Sequence, residues 1–198
     1  METDSAVLVA AASSSASDET GPRTIVNGIL ESDLPPAEKS LERICDEVTT
    51  VSGAGFETSA GVLRLIIFHV FTNQEILQQL RKELVSAKAT PHETVELGKL
   101  EQLPYLTSVL MEGLCLSPGI ATRLQRIAPC QELVYNQWRI PAGTSVGMTN
   151  LWMHLDETLY PDPRRFNPDR WMDIDERKIL DRKFAPFSKG TRSCLGMK

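Results

Sequence analysis

Apolar residues recur at helical spacing through the first half of this chain and at strand spacing only in short pieces of the second. A short apolar run over residues 25–34 predicts one or two helical turns, stopped by Pro35 and Pro36. Residues 37–71 predict one long helix, with Leu41, Ile44, Cys45, Val48 and Val51 on a common stripe. Its second half, 62–71, is apolar nearly all round, which implies deep burial. Asn73 is suited to cap a further helix over 74–88, with Ile76, Leu77, Leu80 and Leu84 on one face. Pro91 breaks the chain. A short helix is expected over 95–100, and another follows Pro104 to about residue 116. Beyond Pro118 and Gly119 the segments 121–127, 132–135, 138–140 and 144–149 read as short strands separated by Pro, Gly and Asn. The proline-bearing tail from Tyr160 is expected to be mostly irregular, with 169–176 a solvated acidic surface. The fold class is therefore mainly α with a small β region.

Composition narrows the functional classes. The chain has 198 residues, enough for one medium domain or two small ones, and carries a formal net charge of −5. That balance argues against nucleic-acid binding, because no basic excess exists to displace counterions from phosphates. The four cysteines, Cys45, Cys115, Cys130 and Cys194, show no paired spacing of the kind a zinc site or disulfide framework needs. No unbroken apolar stretch reaches the roughly 18 residues that span a bilayer. Residues 1–22 lack a basic segment and read as a disordered Ala/Ser-rich leader rather than a signal.

The most specific pattern lies near the end. Phe187, Gly190, Arg192, Cys194 and Gly196 fit FxxGxRxCxG at all five fixed positions. A thiolate at Cys194 suits a haem iron, to which it donates electron density. The glycines let backbone N–H groups approach the sulfur. Arg192 can pair with a haem propionate, and Phe187 can shield the sulfur. A glycine-rich turn around a structural cysteine is the competing reading, and a five-position match weighs against it. Upstream, Gly53 and Gly55 sit inside the long predicted helix, where each costs about 1 kcal/mol relative to Ala. A helix carries them when something must lie against its backbone. Glu57 and Thr58 then form an acid–alcohol pair able to hold water and relay protons. Alternatively, Thr58 bonds back to a carbonyl one turn earlier.

This loop resembles the haem-binding loop of the cytochrome P450 family. Three further stretches resemble family motifs in the same order. Ala54, Gly55, Glu57, Thr58 and Ser59 are similar to AGxDTT, Glu112 with Leu114 and Leu116 to ExLRL, and Phe166, Pro168, Arg170 and Trp171 to FxPxRW. From about residue 21 onward the wording is most similar to fungal secondary-metabolism members such as trichodiene-oxygenase-like P450s. The resemblance covers about nine-tenths of the chain, which covers less than half of a complete member. It implies a partial P450 domain over 23–198, running from the long central helix through the cysteine loop. It also implies haem b (iron protoporphyrin IX) as cofactor and Cys194 as axial ligand. Glu57 and Thr58 would manage protons, and Arg123 would be a second propionate partner, a surface arginine being the equal alternative. The implied reaction is monooxygenation of a small organic substrate, with electrons from an NADPH-cytochrome P450 reductase. Complete relatives are endoplasmic-reticulum membrane proteins. This chain, without an anchor, is expected in the cytoplasm. Arg126 reads as surface, His69 as a core residue, His92 as an exposed loop residue and His154 as structural.

One departure stands out. The third position after Glu112 is Cys115, where the family has arginine. The resemblance implies a buried network of Glu112, that arginine and Arg170, and losing one member of such a network costs about 3–5 kcal/mol. Two other classes of function therefore stay open: a truncated, catalytically inactive remnant without stable haem, and a small helical interaction protein.

Overall fold

The computed structural model describes residues 24–88, 90, 94–117 and 119–197; the expected leader and His92 lie outside them. The chain divides into two compact units, Met1–Glu57 and Thr58–Lys198. In the first, α1 (Ile25–Glu31) is capped by Thr24, whose hydroxyl accepts from the Asn27 N–H. A 3-10 turn, Pro36–Lys39, precedes α2 (Leu41–Thr72). The long helix thus begins four residues later than expected, because Pro35 and Pro36 set up the tighter turn first. Helix α2 runs on through the boundary into the second unit.

The second unit continues with α3 (Gln74–Ser86), α4 (Leu97–Leu100) and α5 (Pro104–Leu116). Asn73 caps α3 as expected, its side chain accepting from the N–H groups of Glu75 and Ile76. Leu103 cannot cap α5. Glu83 of α3 does so instead, its two carboxylate oxygens accepting from Tyr105 and Leu106 N–H at 2.8 Å each. The core joins Ile66 and Val70 of α2, Ile76 and Leu77 of α3, Tyr105 and Val109 of α5, and Phe166. His69 stacks on Phe166 at 4.7 Å, in keeping with a core role. At Gly113 a Cβ would overlap the Ile66 side chain, so only glycine lets α5 approach α2 this closely.

Deep burial of the second half of α2 holds on one face only. Leu63, Ile67, Phe68 and Phe71 are exposed. A helix that is apolar all round needs neighbours on every side, and among the described residues they stand on one. Helix α2 also meets the length and hydropathy of a membrane-crossing helix, with mean hydropathy 1.3. Counting unbroken apolar residues had excluded this, because its Gly, Ser and Thr positions interrupt the count without lowering the mean much. Length and composition alone do not assign it to a membrane.

The strands are shorter than their sequence patterns. β1 (Arg126–Ile127) pairs antiparallel with β4 (Ser145–Val146), and β2 (Leu133–Tyr135) with β3 (Trp138–Ile140). Asn136 takes a positive φ of 52° to close the β2–β3 turn. Two helices in the second unit were not expected. α6 (Asn150–His154) starts at Thr149, whose hydroxyl accepts from Leu151 N–H. α7 (Ile174–Lys183) starts at Asp173, whose carboxylate accepts from Asp175 and Glu176 N–H at 2.9 Å each. The acidic stretch thus supplies a helix cap and first turn, while Arg182 and Lys183 complement the other end of the dipole.

The meander docks on α5 around Glu112, which is 1% exposed. Its carboxylate accepts from the Asn167 N–H at 2.9 Å and from the Trp171 indole N–H at 2.7 Å. Arg170 Nε lies 3.0 Å from the same carboxylate, misaligned for a hydrogen bond, so this contact is an ion pair. The other guanidinium nitrogens donate to the carbonyls of Pro161, Asp162 and Arg165. Burial pushes the Glu112 carboxyl above its usual range, and the Asn167 and Trp171 donors and the Arg170 charge offset only part of that rise. The direct Glu112–Arg170 pair therefore exists with cysteine at 115. Cys115 itself packs with Tyr160, Trp171 and Leu180, and burial pushes its thiol up to about 12.

Candidate functional site

A cavity of about 530 Å³ opens within the second unit. That lies inside the range of about 300–1,000 Å³ common for small-molecule sites. Helix α2 contributes Thr58, Val62 and Ile66 at intervals of four, with Ser59 and Leu63 beside them. Helix α5 contributes Leu110 and Leu114. The segment leading to β1 adds Ile120, Thr122 and Leu124, an alternation that turns every second side chain toward the space. Met148, Asn150 and His154 close one side. Pro186, Phe187, Arg192, Cys194 and Gly196 close another.

The cysteine loop is built by backbone hydrogen bonds. Ser188 N–H donates to Ala185 C=O at 3.1 Å, Ser193 N–H to Gly190 C=O at 3.1 Å, and Cys194 N–H to Phe187 C=O at 2.9 Å. Gly190 turns the chain at φ +85°, which L residues rarely adopt. A Cβ at Gly196 would stand 3.8 Å from the Cys194 sulfur, so this glycine lies directly beside it. Cys194 and Arg192 are exposed.

Of the residues singled out by sequence, Thr58, Phe187, Arg192, Cys194 and Gly196 share the one cavity. Gly190 shapes the loop that carries four of them. Glu57 precedes Thr58 on α2 and is exposed; adjacent helical residues point about a quarter-turn apart. Arg123 is exposed between the lining residues Thr122 and Leu124 and is not itself one of the described lining residues. Arg126 is exposed, and its guanidinium donates to the carbonyls of Leu124 and Gln125. Among the described residues, nothing beyond the helix's own neighbouring backbone lies within 4 Å of a Cβ built at Gly53 or Gly55, so the helix surface is open there.

The apolar wall residues were not singled out. The four-residue interval from Thr58 through Val62 to Ile66 was a signal available for them. The 120–124 alternation was not legible, because which face of that segment turns inward depends on its packing. His154 was read as structural, yet it reaches this cavity from α6. The chemistry of the wall suits a flat apolar group with anionic edges and a metal. One sulfur faces the cavity, apolar side chains flank it and a guanidinium stands at its margin. The donor set therefore fits haem.

A family model described as cytochrome P450 matches residues 9–198. The chain is 44% identical over 183 residues to the cytochrome P450 monooxygenase astB of Talaromyces wortmannii, covering 88% of this chain and 36% of the relative. It is 44% identical over 174 residues to the tryptophan 6-hydroxylase fscE of Fusarium equiseti, covering 87% of this chain and 34% of that one. It is 41% identical over 175 residues to a fusicoccadiene C-8 hydroxylase of Phomopsis amygdali, covering 88% and 33%. The chain thus spans about a third of the length of these relatives. With the match to residues 9–198 covering far more than half of it, the chain belongs to the cytochrome P450 family.

Proposed function

We propose that this chain carries the haem-thiolate centre of a monooxygenase, with Cys194 as the residue that would hold the haem iron. The observation that carries this reading is the convergence of Cys194, Arg192, Gly196 and Thr58 on one apolar cavity from distant parts of the sequence. When bound, haem b would supply the activation of O₂ that puts one oxygen atom into an organic substrate and releases the other as water. Cys194 would present its sulfur as thiolate, beside Gly196 and under the partial cover of Phe187. Arg192 would pair with a propionate, and Arg123 with another if its side chain turns at the cavity edge. Thr58 would hold a water at the cavity wall, and Glu57 would exchange protons with solvent one residue away. Glu112 and Arg170 would keep α5 and the meander together beneath this wall.

The working unit is residues 23–198, a partial domain of the family that matches about a third of the length of its relatives. The substrate would be a small, largely apolar or aromatic organic molecule, in line with relatives named as a tryptophan and a fusicoccadiene hydroxylase. The electron donor would be an NADPH-cytochrome P450 reductase. The test is haem reconstitution of the purified chain followed by reduction under carbon monoxide. The expected result is the red-shifted Soret band of a thiolate-ligated haem, lost in Cys194→Ala. Haem uptake with no such band, or a band unchanged in Cys194→Ala, overturns the ligand assignment. No haem uptake at all favours the second reading, a family member inactive in this form, to which Cys115 in the arginine position points.

A further inference from the structure

His154 is 3% exposed on α6 and holds partners on two other segments. Its Nε2 accepts from the backbone N–H of Ala185 at 3.2 Å. The other ring nitrogen faces the carbonyl of Cys115 at the end of α5, the helix on which α6 packs. Phe184 stacks on the ring at 5.8 Å, and Tyr160 meets it edge-on at 5.8 Å. A neutral imidazole is the form that serves both bonds, one nitrogen donating and one accepting. Burial favours that form.

Ala185 is where the cysteine loop begins. Its N–H goes to His154 and its carbonyl accepts from Ser188, after which the Phe187 carbonyl accepts from the N–H of Cys194. Three hydrogen bonds, at 3.2, 3.1 and 2.9 Å, lead from the imidazole to the amide of the cysteine. The loop's other side-chain tie among the described residues runs from Lys189 Nζ to the Arg182 carbonyl at 2.8 Å and is exposed. Among the described residues, the buried side-chain anchor of this loop is therefore His154.

We propose that His154 is a positioning residue for the Cys194 loop, tethering its first residue to the last turn of α5. It would thereby set the depth of the sulfur in the cavity wall. The tether itself is a property of the chain; its use in placing an iron ligand rests on the haem-thiolate reading above. A side chain that merely filled space would be replaceable by any group of like volume. A tether depends on which end of the ring is kept.

Two variants of the full chain separate these. His154→Asn keeps a donor near the Cys115 carbonyl but is too short to reach Ala185. His154→Gln reaches Ala185 with an acceptor. Amide hydrogen exchange on the haem-free chain is expected to speed about tenfold at Ala185, Ser188 and Cys194 in His154→Asn, with Val109 of α5 unchanged. In His154→Gln the same amides should stay within about threefold of the parent. In haem-reconstituted protein the thiolate-type band should weaken in the Asn form and persist in the Gln form. Equal exchange in the Asn form and the parent, or equal acceleration in the Asn and Gln forms, overturns the assignment. So does acceleration spread evenly through α3 and α5. If His154→Asn does not fold, His154→Phe, which keeps the stacking and lacks both bonds, carries the same expectation. Failure of both to fold marks a global role and counts against the tether. A parent chain that takes up no haem, while the Asn form still frees the Ala185 and Cys194 amides, overturns the haem reading and supports the tether.

Discussion

Cys194 is exposed in a loop shaped by backbone hydrogen bonds and two glycines, whereas Glu112 is 1% exposed and meets Asn167, Trp171 and Arg170 at once. The two regions carry the chain's clearest family motifs, and they are held by different physics. The loop presents a sulfur at the cavity, and little packing depends on it. The junction between α5 and the meander buries a charge, so each of its donors offsets a desolvation penalty. A change at Cys194 should thus alter chemistry and leave the fold, while a change at the junction should alter the fold first.

The largest effect is expected at the junction. Arg170→Met leaves Glu112 without its ion-pair partner and three meander carbonyls without donors. A loss of about 3–5 kcal/mol in urea unfolding is expected. A loss under about 1 kcal/mol would mean that the Asn167 and Trp171 donors suffice. Gly113→Ala tests the helix contact nearby. The added methyl overlaps Ile66, and the expected cost is about 1–3 kcal/mol, partly recovered in a second variant that also carries Ile66→Val.

Cys115→Arg runs the other way. The Tyr160 hydroxyl is buried beside Cys115 with no hydrogen-bond partner among the described residues. A guanidinium at 115 would bring donors to that oxygen and to Glu112. A gain of about 1–3 kcal/mol and a higher melting temperature are expected. A lower melting temperature would show that the Tyr160, Trp171 and Leu180 packing around the thiol outweighs the added bonds.

Titration links the two regions, because His154 touches both. Burial depresses the pKa of His154 and of His69 below the ordinary value. The unfolded chain therefore binds these protons more readily than the folded one. The associated stability is complete above about pH 6.5 and is lost as pH falls from there, by at most about 1.4 kcal/mol per pH unit for each histidine. Melting temperature should decline between neutrality and mild acid, and His154→Gln should flatten part of that decline. A profile as steep in the variant as in the parent would assign the effect to His69. The smallest effect is expected at the loop. Cys194→Ala in the haem-free chain should change stability by no more than about 0.5 kcal/mol. A larger loss would mean that the sulfur packs as well as presents.

Helix existence was legible wherever a periodic stripe met a cap. Asn73 before α3 and Pro104 at the start of α5 both act as their residue types dictate. The cysteine loop was legible because five spaced residues each have a chemical reason. The helix α7 was missed because Asp173 and Glu176 were read as charge alone. In fact Asp173 caps the first turn, and Leu180 is a single buried contact on a polar helix. The strand patterns over 121–127 and 144–149 were too long. Only Arg126, Ile127, Ser145 and Val146 find partners, and a strand exists where a ladder forms, not where side chains permit one.

Taken alone, the order of residues determined most of the helices, the cysteine-loop motif and the family to which the chain is similar. Those follow from periodicity, capping and donor chemistry, all of which act over a few residues. Tertiary structure decided the rest. It capped α5 with a carboxylate 22 residues away, paired Glu112 with Arg170 without an intervening arginine, and turned Thr122 and Leu124 inward while leaving Arg123 out. It also put His154 between α5 and the cysteine loop. Such partners are distant in sequence, and what brings them together is the burial of apolar faces in two hydrophobic clusters, which no local pattern encodes.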